Sequence, residues 1–119
     1  ESMKASVVRI PRSNGDLEVI LLTPKGLLTE KQHAPLIIWV HAGGYVLGNA
    51  RDDYLASTLE LLHSSNHSSS SAMKNAIWAS VEYRLAPEHP YPAASDDVFL
   101  ALEHLTSKEG LGLGKGGVH

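Results

Sequence analysis

Residues Trp39 to Tyr54 read WVHAGGYVLGNARDDY. The stretch leaves an apolar run, Leu36-Ile37-Ile38-Trp39-Val40, through His41, and then drops its side chains at Gly43 and Gly44. The run is short, rich in β-branched residues and without polar alternation. It therefore reads as a strand covered on both faces. Beyond the glycines, Asp52 to Leu62 reads as a helix. Leu55, Leu59 and Leu62 fall at i, i+4 and i+7, with Ala56 beside them. Asp52 and Asp53 suit the positive end of such a helix.

Working outward, Ala76 to Val81 is a second apolar strand, and Ala93 to Thr106 returns to helical spacing through Val98, Leu102 and Leu105. Trp39 and Trp78, both on apolar strands, read as core. Upstream, Ala5 to Ile10 and Leu17 to Thr23 flank Ser13-Asn14-Gly15-Asp16. Asn-Gly between apolar runs signals a hairpin, because both residues tolerate φ > 0. Pro24 to Pro35 is a polar connection. His63 to Ser71 is serine-rich and reads as an exposed loop. Glu82 to Pro92 carries three prolines, so no regular element fits there. Gly110 to Gly117 is a glycine-rich loop, and Val118-His119 reads as the start of another strand.

The order is hairpin, strand, helix, strand, helix, strand start. Strands alternating with helices imply an α/β fold with a parallel sheet and right-handed crossovers. Ligands in such sheets gather at the carboxyl ends of the strands, which is where His41 to Gly44 sit.

Composition narrows the function classes. The 119 residues suit one domain, and 43% hydrophobic residues suffice for a core. A net charge of -3 gives no electrostatic case for nucleic acid or for an anionic membrane surface. No apolar run approaches the ~20 residues of a membrane span. No basic region followed by an apolar one marks a signal peptide. With no cysteine, disulfides, thiolate metal sites and cysteine nucleophiles are excluded, and a cytoplasmic location is expected.

Two uses compete for Gly43-Gly44. Adjacent N–H groups free of Cβ can aim at one anionic atom, such as the oxyanion of an acyl-transfer intermediate. Alternatively, the pair only makes a tight turn. A phosphate cradle would need a longer glycine loop with Lys beside Ser or Thr, which is absent here. Ser95 beside Asp96 invites a triad, but a residue near a helix start caps more readily than it attacks. His63 and His67, four apart, lack a third ligand and read as solvated surface. No metal or organic cofactor is implied.

A second motif follows the next strand: Glu82-Tyr83-Arg84-Leu85-Ala86-Pro87-Glu88, leading through His89-Pro90-Tyr91-Pro92 into a helix. Together with His41-Ala42-Gly43-Gly44-Tyr45, it resembles the hormone-sensitive-lipase-like family of α/β-hydrolases, which includes many carboxylesterases and carries a His-Gly-Gly-Gly loop. The resemblance runs from about Leu36 to Leu105, a span read from the two motifs and the elements bearing them. It implies that Gly43 and Gly44 donate to the oxyanion, that His41 braces the loop without acting as base, and that Tyr45 is the aromatic after the glycines. Tyr83, Arg84 and Glu88 are then structural, with Arg84 paired to Glu88 or Asp97. Ala42 replaces the family's first glycine, and Glu82 stands where the family commonly has Asp.

The resemblance implies a serine hydrolase of small carboxylic esters. The family's Gly-x-Ser-x-Gly nucleophile turn, and the Asp or Glu and His that follow it, do not occur in these residues. Residues 1–119 are therefore expected to be the N-terminal portion of a single α/β-hydrolase domain, ending just before the nucleophile. That portion is expected to meet a complementary C-terminal segment or to self-associate. Two alternatives stand beside this: a non-catalytic ligand-binding protein, as in the gibberellin receptors that resemble the family, and an inactive truncated product.

Overall fold

Hydrogen bonding groups strands β1 (Met3–Ile10), β2 (Leu17–Pro24), β3 (Leu36–Trp39) and β4 (Ile77–Val81) into one mixed sheet of order β1-β2-β4-β3. The computed structural model describes residues 3–27, 30–41, 43–44, 46–51, 53–64, 75–108 and 110–119, without the side chains of 53, 54 and 61–64. Strands β1 (Met3–Ile10) and β2 (Leu17–Pro24) form the antiparallel hairpin, from Met3 opposite Pro24 to Ile10 opposite Leu17. Gly15 takes φ +109° in the connection, a conformation that favours glycine. Arg12 ties this connection together, donating to the carbonyls of Gly15 (2.8 Å) and Asp16 (3.1 Å).

Strand β3 (Leu36–Trp39) runs parallel to β4 (Ile77–Val81), which also pairs antiparallel with β2. On the outer side of β3, Leu36 bridges Val118 in parallel. The Leu36 N–H donates to Gly117, and the His119 N–H donates to Leu36. The chain thus begins to add a further parallel strand where Val118-His119 reads as one.

Helix α1 (Asp53–Ser64) and helix α2 (Ala93–Thr106) pack against separate core clusters. Successive residues of β4 point to opposite faces of the sheet. Ile77, Ala79 and Val81 join Ala94, Ala101 and Leu105 of α2, while Trp78 joins Leu55 and Leu59 of α1. Every residue of β4 is buried, which is why its sequence shows no alternation. Trp39 and Trp78 pack with centroids 6.2 Å apart, Trp39 only partly buried.

Several expectations need correction. Helix α1 continues through His63 and Ser64, two residues into the expected loop; 65–74, with His67, lie outside the described residues. The polar connection from Pro24 to Pro35 holds a short 3₁₀ turn, Lys31–His33. The buried face of α2 is Ala94, Asp97, Ala101 and Leu105, with Leu102 only half-buried. The stripe is rotated from the one counted on large side chains, because small alanines let a helix approach a sheet closely. Ser95 is not a cap: Pro92 holds that position, with no side-chain hydrogen bond. No helix among the described residues is long and apolar enough to cross a membrane.

Candidate functional site

Strand β3 ends at Trp39, and the chain turns at its carboxyl end. His41 is buried, whereas Gly43 and Gly44 are exposed. The Gly43 carbonyl accepts the N–H groups of Val46 and Leu47, both at 3.1 Å. A tight turn is therefore present, but it closes through a carbonyl. Among the described residues, neither the Gly43 nor the Gly44 N–H donates to a protein acceptor. The turn forms without using either N–H group, so the two readings of the glycines do not exclude each other.

The two glycines differ in what they require. Gly43 has φ +133°, and a Cβ there would overlap the Leu47 carbonyl oxygen. Gly44 has φ +62° with open space where a Cβ would lie. Gly43 is fixed by close approach and by conformation, Gly44 by conformation alone. Ala42 and Tyr45 lie outside the described residues.

His41 stacks on Tyr83, with ring centroids 4.1 Å apart and planes 10° from parallel. The Tyr83 hydroxyl donates to the His41 carbonyl at 2.8 Å and lies 3.1 Å from His41 Nδ1. A phenol has one proton. With that proton on the carbonyl, Nδ1 must be the donor in the second contact. Tyr83 is 2% exposed, so the pair forms a buried plug at the start of the glycine loop.

The motif arginine is anchored from α2. Arg84 Nε reaches Asp97 Oδ2 at 3.0 Å and Oδ1 at 3.2 Å, and the Arg84 backbone N–H donates to Oδ2 at 2.8 Å. Arg12 from the hairpin completes the cluster, its guanidinium 2.9 Å from Asp97 Oδ1. The partner is thus Asp97 and not Glu88, which is exposed and makes no ion pair among the described residues. Only the structure brings in Arg12, because nothing local in the sequence links a hairpin arginine to a helix 85 residues later.

Burial alone would push the Asp97 carboxyl up. Hydrogen bonds from the Arg84 side chain and backbone, then the Arg12 guanidinium, outweigh it and hold the carboxyl below its ordinary value. A carboxylate with a lowered native pKa contributes stability above its unfolded pKa and loses it as pH falls through the native value. Acid unfolding should therefore draw on Asp97 below an ordinary carboxylate pKa of about 3.9. Fluorescence-monitored acid titration checks this: wild type loses stability relative to Asp97→Asn as pH falls through that window.

Ser95 lines a shallow pocket with His89, Tyr91, Ala86 and Ala94. No hydrogen bond joins Ser95 to His89 among the described residues, and the buried acid nearby, Asp97, is committed to arginines. The arrangement is not a triad. No group of three or more His, Asp or Glu suited to a metal occurs among the described residues.

Comparison with known proteins gives consistent results. A family model described as the α/β-hydrolase fold matches residues 37–117. Esterase LipI of Mycobacterium tuberculosis is 36% identical over 72 residues, covering 60% of this chain and 19% of its own length. The 2-hydroxyisoflavanone dehydratase of Glycyrrhiza echinata is 37% identical over 79 residues, 66% of this chain and 21% of its own. Among solved structures, an esterase from Pyrobaculum calidifontis superposes with a TM-score of 0.69 at 27% identity, covering 97% of this chain and 33% of that one. The chain thus matches only a minor part of the length of each of these relatives.

Proposed function

Since this chain belongs to the α/β-hydrolase fold family, we propose that it is the N-terminal portion of a single hydrolase domain and supplies the oxyanion loop of a carboxylic ester hydrolase. One observation carries the reading. At the carboxyl end of a parallel strand, the turn closes through the Gly43 carbonyl and leaves the exposed N–H groups of Gly43 and Gly44 without a protein acceptor among the described residues. Names of relatives such as Esterase LipI support the reaction class.

In the reaction, a serine from the part of the domain beyond residue 119 attacks the ester carbonyl carbon. A histidine, also from beyond residue 119, takes the serine proton and returns it to the leaving alkoxide. As the carbonyl π bond opens, its oxygen becomes anionic, and the N–H groups of Gly43 and Gly44 donate to it. Donors already aimed at that oxygen need no reorganisation as charge develops. His41 does no proton transfer here; stacked on Tyr83, it seats the start of the loop.

Exposed Val46 and Leu47 at this end of the sheet, and exposed Val118 along the outer side of β3, support a complement that covers them. The 119 residues alone are expected to hydrolyse no ester and to associate. The test assays a short-chain chromogenic ester with these residues and with the protein extended through its nucleophile turn and triad histidine. Turnover from the extended protein only, lost when the turn serine is replaced, is the expected result. Serine-dependent turnover by the 119 residues, trapped as an acyl group on Ser95 or another resident serine, would overturn it.

A further inference from the structure

The segment from His41 to Ala50 carries Gly43, Gly44 and Gly48, all at positive φ. Glycine-rich backbone has many conformers, so something must hold the donors in one direction. The start of the segment is seated on Tyr83. Its end is held just as closely, by two residues at the exit of β4.

We infer that Ser80 and Glu82 are positioning residues for the glycine loop, acting by gripping both backbone groups of Ala50; the inference rests on the oxyanion reading above. Alternation along β4 sends Ser80 to the same face as Trp78, and Glu82 follows two residues on. Ser80 Oγ donates to the Ala50 carbonyl at 2.8 Å, and Glu82 Oε1 accepts the Ala50 N–H at 3.1 Å. Ser80 is fully buried and Ala50 is 3% exposed, so little water reaches these groups to replace a lost partner. Glu82 also lies 3.9 Å from His41 Nε2 and 3.8 Å from Arg51. Those distances are too long for hydrogen bonds. The Arg51 contact adds charge attraction that solvent partly screens, whereas the Ala50 contacts set direction.

Ser80, Glu82 and Tyr83 thus pin both ends of the loop from one short stretch at the exit of β4. Releasing the Ala50 end leaves the loop closed at His41 and free to swing at Gly48. The donors then spend less time on the developing oxyanion, while substrate binding through the rest of the pocket is unchanged. The signature is a fall in kcat with KM held, which lost stability alone does not produce in folded enzyme.

The experiment uses the extended protein described above and the variants S80A, E82A and E82Q. Each is assayed well below its melting temperature, with hydrogen exchange read by mass spectrometry over residues 41–51. S80A and E82A should lower kcat about tenfold to a hundredfold with KM within about twofold, the scale of a modest misplacement. Exchange should rise in the 41–51 peptide and not across the sheet. E82Q keeps an oxygen for the Ala50 N–H and should stay within about threefold of wild type, if direction and not charge is what matters. Wild-type kcat in both S80A and E82A, or equal losses in E82Q and E82A, would overturn the inference. If E82A does not fold, S80A and E82Q carry the same expectations. A wild-type protein that hydrolyses no ester would remove the oxyanion reading. Loop exchange would then decide the grip alone: an unchanged 41–51 peptide in S80A and E82A would overturn it.

Discussion

Asp97→Ala should lower the free energy of unfolding by about 3–5 kcal/mol, the cost of removing one partner from a buried ion pair. Asp97 is 1% exposed and holds two guanidinium groups and one backbone N–H. Its loss strands Arg12, Arg84 and that N–H together, and joins a cavity to the unpaired charges. Asp97→Asn keeps the shape and one acceptor oxygen and should cost less. Urea unfolding of the extended protein with both variants measures this, the midpoints shifting at unchanged slope. A loss from Asp97→Ala under about 1 kcal/mol, the value of an ordinary surface pair, would contradict the anchoring role. The cluster joins the hairpin, the loop after β4 and the start of α2. Its failure should therefore loosen the proline-rich segment before the rest of the sheet.

Gly43→Ala should reduce kcat/KM of the extended protein by about 10²–10³, the scale of losing an oxyanion donor. The added Cβ would overlap the Leu47 carbonyl oxygen at a φ of +133°. The turn must then rebuild, and the N–H groups move with it. Gly44→Ala meets open space and only the left-handed strain, about 1–2 kcal/mol, so it should retain more activity. Steady-state hydrolysis of one short-chain ester compares the two. Equal activity in Gly43→Ala and wild type would mean that the turn does not hold the donors.

Much of the fold was legible in the sequence because local patterns express it. β-Branched runs marked the strands. Leucine spacing found both helices, and α2 occupies the expected Ala93–Thr106. What escaped depends on distant residues meeting. Glu88 stood four residues from Arg84 and looked a natural partner. Asp97 stood beside it as the other candidate, and the chain bends at the prolines and brings Asp97 from the next helix onto Arg84. The second partner of Asp97, Arg12, comes from the far hairpin and carried no local signal. The α2 stripe was misjudged because hydrophobic counting favours Leu102 over Ala101, whereas close packing on β4 favours the small residue. For the site, the glycines and His41 were visible as a motif. Ser80 and Ala50 carried no local signal, since their bonds exist only once the loop folds back on β4.

If the Gly43 and Gly44 N–H groups hold the oxyanion, a mimic of the tetrahedral intermediate must bind them. A crystal structure of the extended protein, its nucleophile serine trapped by a phosphonate ester, tests it most directly. The tetrahedral phosphonyl group places one oxygen where the oxyanion forms. That oxygen should lie about 2.7–3.1 Å from both the Gly43 and Gly44 nitrogens, with the Val46 and Leu47 bonds to the Gly43 carbonyl intact. A phosphonyl oxygen bound to other donors, with the two glycine N–H groups turned onto backbone carbonyls, would contradict it.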